Sequence, residues 1–199
     1  MMVLLLYIDR NQMNLTDYLQ LHFDAMESIE TNSNGLNEIA NLISSTIKSS
    51  NTIFTIGNGG SYSTASHFVC DLGKGVSNAS KSPVRSICLN DNIATNSAWA
   101  NDLSYDLALR RQLESFGCEK DVLIVFSGSG NSNNVNEALR GARELGIRSI
   151  AFLGFDGGKS KELADYSFVV DSYDMQVVEN LHLLLAHWFF KDLPTRLQE

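Results

Sequence analysis

The segment Thr52–Asp71, TIFTIGNGGSYSTASHFVCD, leaves few folds open to the chain that contains it. Its first five residues are β-branched or aromatic with no polar alternation, which suits a strand covered on both faces and hence a parallel sheet. Gly57, Gly59 and Gly60 then interrupt the run. Glycine allows positive φ and close approach of a ligand to the backbone, and the helix that follows presents unpaired N–H groups at the positive end of its dipole. Phosphate is the natural guest of such a turn.

The rest of the chain extends the same plan. Leu15, Leu19, Phe23, Met26 and Ile29 recur at three- and four-residue steps, predicting an amphipathic helix from Asn14 to about Glu30 with Asn14 or Thr16 as its cap. A second helix is expected over Leu36–Lys48. Further strands are expected over Val84–Leu89, Asp121–Phe126, Arg148–Leu153 and Tyr166–Val170. Helical patterns fill Ile93–Ala100, Tyr105–Phe116, Val135–Leu145 and Ser160–Ala164, with Asn101-Asp102 as a break between the first two and Gly146 as a C-cap. The last helix, about Met175–Phe190, is apolar on most sides. This alternation predicts an α/β fold, a three-layer α/β/α sandwich around a five-stranded parallel sheet, with ligands at the carboxyl ends of the strands. The 199 residues suit one domain, with N-terminal helices over about 14–50 and the parallel α/β core over 52–193. The two leading helices have no place in a minimal βαβ unit. They are expected either to lie across a subunit partner or to cover one sheet face.

A formal net charge of −8 and a pI near 4.9 argue against nucleic acid and anionic membrane as partners, since both call for a basic surface. A small anion needs only a local positive site. Cys70, Cys88 and Cys118 are odd in number and sit in apolar segments, which predicts buried thiols of a reducing compartment. Cys/His zinc spacing does not occur. The apolar run Met2–Ile8 is about seven residues long, without a basic lead or a small-residue cleavage site, so it is expected to be neither signal peptide nor membrane span. A cytoplasmic location is expected.

Chemistry concentrates in three places. The turn SGSGNS, Ser127–Ser132, follows the third predicted strand as GNGGS follows the first, and it offers three hydroxyls for holding a phosphate without lysine. Neither turn is a P-loop or GxGxxG. Either alone is an ordinary βα junction, whereas two at one crevice point to a ligand. His67 and Asp71, four apart, share a helix face as a surface pair, as metal ligands or as an acid/base pair. The last helix carries Glu179, His182 and His187. Histidines on an apolar helix are usually core or interface residues, and Glu179 with His182 can form a local pair. Glu179 and His187 stand about 12 Å apart along a straight helix and roughly 80° around it, so one ion does not easily hold both.

The two glycine/serine turns, the HFVCD segment and the terminal VVENLHLLLAH together resemble the sugar isomerase (SIS) domain. Within that family the chain resembles the bacterial phosphoheptose isomerases, which convert sedoheptulose 7-phosphate to D-glycero-D-manno-heptose 7-phosphate. The resemblance reaches from the N-terminal helices to about Leu193. It implies a flavodoxin-like sheet, a homotetramer with active sites at subunit contacts, and an aldose–ketose isomerase working through a cis-enediol with no nucleotide or redox cofactor. It also implies a place in lipopolysaccharide, capsule or nucleotide-sugar synthesis.

By position, Ser61, Ser127, Ser129 and Ser132 would hold the sugar phosphate, Asn58 and Gly59 would line the site, and Asn101 and Asp102 match the family's Asn-Asp loop near the substrate. The metal positions fall on His67, Asp71, Glu179 and His187, with Zn2+ as the ion that suits them. Asp71 and His187 are the implied catalytic pair, one removing the α-proton and the other moving protons on the oxygens. The chain departs from the family at Asp71, where glutamate is common, at Glu179, where glutamine is common, and at Gly75, where an arginine stands. These departures favour the rival reading, a non-catalytic sugar-phosphate-binding module or an adaptor of the DnaA-binding type. Retention of His67, Asp71 and His187 favours the enzyme.

Overall fold

The computed structural model describes residues 13–199, so the Met2–Ile8 run lies outside the described residues. In chain order the elements are α1 (Leu15–Thr31), α2 (Ser33–Lys48), β1 (Thr52–Ile56), α3 (Gly59–Cys70), a π-helical turn (Asp71–Val76), α4 (Ser77–Ser80), β2 (Arg85–Cys88), α5 (Ile93–Asp102), α6 (Tyr105–Phe116), β3 (Val122–Ser127), α7 (Asn133–Glu144), β4 (Arg148–Leu153), α8 (Gly158–Leu163), β5 (Tyr166–Val169) and α9 (Met175–Gln198). All five strands are parallel, in the order β2-β1-β3-β4-β5. Sheet growth reverses at β1, so the carboxyl ends of β1 and β3 flank the topological switch point where such sheets bind ligands.

The apolar runs are continuous because both sheet faces are covered. Ile53, Val122, Ile124 and Phe126 point into a core built with α2, α3 and α9. Phe54, Ile56, Leu123 and Val125 point the other way, against Leu109, Leu113, Val135 and Leu139 of α6 and α7. Each fully buried side chain of this size contributes roughly 1.5–3 kcal/mol relative to exposure. Of the two leading helices, α2 covers the sheet, while α1 lies on α9 and leaves Leu15, Leu19 and Phe23 exposed.

Beyond Asp71 the chain continues as helix to Ser80, through a π-helical turn that contains Gly73 and Gly75. A Cβ on Gly75 would lie 2.1 Å from the Phe190 ring, so the glycine is where α9 approaches most closely. Three expectations need correction: Asn101-Asp102 belongs to the last turn of α5 and is not a break between it and α6. Helix α9 runs past Phe190 and through Pro194, with Leu193 buried and Arg196 donating to Asn37 and Asn41 of α2 at 2.7 Å each. Finally, only Cys88 is buried: Cys70 lies on the solvent side of α3 and Cys118 in the exposed turn after α6. Among the described residues no helix is long and apolar enough to cross a membrane.

Candidate functional site

At the switch point the β1–α3 turn is clasped by the loop that follows β2. Asn90 Nδ2 donates to the Gly57 carbonyl (2.9 Å) and Asn90 Oδ1 accepts from the Gly57 N–H (3.2 Å). The turn floors a cleft of about 330 Å³ lined by Asn58, Gly59, Tyr62, Asn90, Asn96 and Tyr105, among others. Asp91, hydrogen-bonded to the Tyr62 hydroxyl, raises the Tyr62 pKa, with burial adding to the effect.

The serine turn leaves β3, the neighbour of β1 in the sheet. Ser127 is buried and its Oγ accepts from the Gly130 N–H (3.2 Å), while Ser129 Oγ accepts from the Asn131 N–H (3.3 Å). Ser132 then precedes α7, whose first N–H groups supply neutral donors to an anion. On its far side the turn is fastened to α8 by Ser160 N–H to the Gly130 carbonyl (2.8 Å) and Lys159 N–H to Asn131 Oδ1 (3.2 Å). Of the positions expected to bind substrate, Asn58 and Gly59 line this cleft, whereas Ser61, Ser127, Ser129 and Ser132 are not among its lining residues, Ser61 and Ser127 being buried. Asn101 and Asp102 do not line the cleft; they are exposed and bonded to each other (3.0 Å), one step beyond Ala100, which does.

A second constellation lies two helical turns along α3, about 10 Å from its glycines. His67 Nε2 is 2.9 Å from His187 Nε2 and 3.3 Å from Asp71 Oδ2, and His187 Nε2 is 4.0 Å from the same oxygen. The three ligand atoms lie within 4.8 Å of one another. Asp71 Oδ2 is buried with no hydrogen-bond partner. Tetrahedral zinc with bonds near 2.0–2.1 Å separates its ligand atoms by roughly 3.3 Å, so this donor set and spacing fit such an ion. Parallel packing of α3 and α9 makes the meeting: Gly60 abuts Glu179, His67 meets His187 and Gly75 abuts Phe190. His187, expected to be a core or interface histidine, therefore reaches His67 within one chain.

Glu179 is not part of this group within the one chain described. It lies two turns back on α9, where a Cβ on Gly60 would fall 2.2 Å from its Oε2. Burial pushes its pKa up, and a hydrogen bond from the Ser61 backbone opposes that shift. His182 makes no pair with it. It is wholly buried between Phe126 and Phe152, bonded through Nε2 to the Leu153 carbonyl (3.1 Å), and burial holds its pKa down at about 4.

Sequence reasoning missed Asn90, Tyr105 and Asn134. Asn134, only 2% exposed at the start of α7, exchanges hydrogen bonds with Asn58, and the Tyr105 hydroxyl donates to Asn58 Oδ1. The available signal was a carboxamide two residues past the serine turn, but its partner lies 76 residues away.

The family model for the SIS domain matches residues 17–154. A probable phosphoheptose isomerase of Thermoplasma acidophilum is 40% identical over 149 residues, covering 75% of this chain and 81% of that protein. The phosphoheptose isomerase of Helicobacter pylori is 36% identical over 167 residues, 83% of this chain and 86% of that one. The solved structure of phosphoheptose isomerase GmhA from Neisseria gonorrhoeae superposes with a TM-score of 0.84 at 26% identity, covering 90% of this chain and 96% of its own.

Proposed function

This chain belongs to the SIS domain family, in the company of the phosphoheptose isomerases, and on that premise we propose that it interconverts sedoheptulose 7-phosphate and D-glycero-D-manno-heptose 7-phosphate. The observation that carries this reading is the convergence of His67, Asp71 and His187 from two helices onto one point. A non-catalytic binder has no use for such a group.

In this reading the serine turn, with Ser127, Ser129 and Ser132, grips the phosphate together with Ser61, and Asn58 and Gly59 line the sugar. Asp71 or His187 removes a proton from C1 of the ketose, and its electrons form the C1=C2 bond of a cis-enediol as the C2 oxygen takes up a proton. Returning a proton to C2 while the C1 oxygen loses one gives the aldose, with no net gain or loss of atoms or electrons. A divalent ion held by His67, Asp71 and His187, zinc by its donor set, supplies polarisation of the substrate carbonyl when bound. His67, Asp71 and His187 are the three side chains that would hold such an ion.

The chain acts as one domain and as a homotetramer. The exposure of His67 and His187, and of Leu15, Leu19 and Phe23 on α1, supports a site completed at subunit contacts. Free Cys70 and Cys118 at the surface suit the reducing cytoplasm.

The test is incubation of the purified protein, with zinc supplied, with sedoheptulose 7-phosphate, following aldose formation. Asp71→Asn and His187→Ala are expected to lower turnover roughly 10²–10⁴-fold. Saturable sugar-phosphate binding with no turnover of any C5 to C7 ketose phosphate would sink the enzyme and leave a binding module.

A further inference from the structure

The glycine turn and the serine turn leave neighbouring strands, with Ile56 paired to Val125 as the last rung between β1 and β3. Beyond that rung a side-chain tie takes over. Asn58 Nδ2 donates to Asn134 Oδ1 (2.9 Å) and Asn134 Nδ2 returns a bond to Asn58 Oδ1 (2.8 Å). Tyr105, at the first residue of α6, donates its hydroxyl to the same Asn58 Oδ1 (2.8 Å). Asn58 immediately precedes α3 and Asn134 is the second residue of α7, so the tie joins the start of one helix to the start of the other. Asn134 is 2% exposed, where an unpaired carboxamide would be costly, so the pair holds its geometry. The serine turn is fixed on its other flank as well, by the Ser160 N–H donating to the Gly130 carbonyl (2.8 Å), while Ser160 Oγ donates to Asn136 Oδ1 of α7 (2.7 Å).

We propose that Asn134 and Tyr105 are positioning residues that set the distance between the serine turn and the glycine turn, and that they fix which face Asn58 shows a ligand. With both lone pairs of Asn58 Oδ1 taken and one Nδ2 hydrogen given to Asn134, one Nδ2–H donor remains. Asn58 therefore offers a donor to a sugar oxygen and cannot act as an acceptor. The proposal rests on the reading of these two turns as the sugar-phosphate site. Its consequence is that a ligand spanning both turns depends on the tie, whereas a ligand filling only the serine turn does not.

Calorimetric titration of inorganic phosphate and of sedoheptulose 7-phosphate into wild-type protein, Asn134→Ala and Tyr105→Phe separates the two dependences. Asn134→Ala is expected to weaken the sugar phosphate about tenfold or more, since small misplacement of a gripped ligand is expensive, and phosphate less than about twofold. Tyr105→Phe is expected to act in the same direction, raising KM more than it lowers kcat, with the melting temperature unchanged because Tyr105 is exposed. Equal weakening of both ligands, or no change in either, overturns the proposal. Wild-type protein that binds phosphate but not the sugar phosphate sinks the proposed function instead. In that event the tie is judged by the side-chain NH2 resonances of Asn58, which are expected to shift and exchange faster with water in both variants; unchanged signals refute it.

Discussion

The Nε2 atoms of His67 and His187 face each other at 2.9 Å, their rings edge to face at 79°, although 120 residues separate them. A hydrogen bond between the two rings needs one to donate and the other to accept, and Asp71 Oδ2 beside them has no hydrogen-bond partner. An ion held by the three atoms would supply what that oxygen lacks. The arrangement depends on the register of α9 against α3, so the packing of two helices decides whether the chemistry exists.

Zinc binding should follow this geometry. His67→Ala and His187→Ala are each expected to weaken zinc at least about 10–100-fold, a range that loss of even an outer-shell partner reaches. Glu179→Gln, two helical turns away, is expected to change it little. Competition against a chromogenic chelator reads the affinities; a large loss in Glu179→Gln would return that carboxylate to the ligand set.

Gly75 tests the helix register itself. Alanine is normally better than glycine within a helix by about 1 kcal/mol, yet here its Cβ would fall 2.1 Å from the Phe190 ring. Gly75→Ala is therefore expected to destabilise by about 1–3 kcal/mol. In a Phe190→Ala background the clash is gone and the same change becomes neutral or stabilising. A double-mutant cycle in urea measures the coupling; additivity would show that the ring does not set the approach.

Helix α1 presents Leu15, Leu19 and Phe23 to the outside at four-residue spacing, with 71%, 46% and 56% exposure. Such a stripe is buried in the proposed tetramer. Leu19→Glu combined with Phe23→Glu is expected to yield a smaller species in light scattering behind a sizing column. A monomeric wild-type protein would end that reading.

How much of this could be read beforehand varied with the distance between partners. Thr52–Ile56 was legible because a central parallel strand is apolar on both faces, and the His67–Asp71 pair because four residues along a helix fix a shared face. The union of His187 with them was not legible from spacing and came only through the family resemblance, since it depends on Gly60 admitting Glu179 and Gly75 admitting Phe190. The π-helical turn after Asp71, in which Gly75 lies against Phe190 of α9, was not anticipated. The Asn58–Asn134–Tyr105 tie joins three elements and leaves no local pattern in any of them.

His182 supplies a pH dependence that belongs to folding and not to catalysis. It is neutral and fully buried, with a pKa of about 4 against 6.5 for the free side chain. The unfolded chain takes up the proton first, so the stability associated with the neutral ring is fully present above pH 6.5. It is lost as the pH falls toward 4. The difference amounts to roughly 3 kcal/mol by pH 4 or just below. His182→Gln keeps an N–H donor for the Leu153 carbonyl but has nothing to titrate, so its stability curve is expected to be flatter across this window even if the variant is less stable at pH 7. Urea unfolding of both proteins at pH 7, 5.5 and 4 makes the comparison. Parallel curves would mean that the ring is already charged in the folded state or that water reaches it.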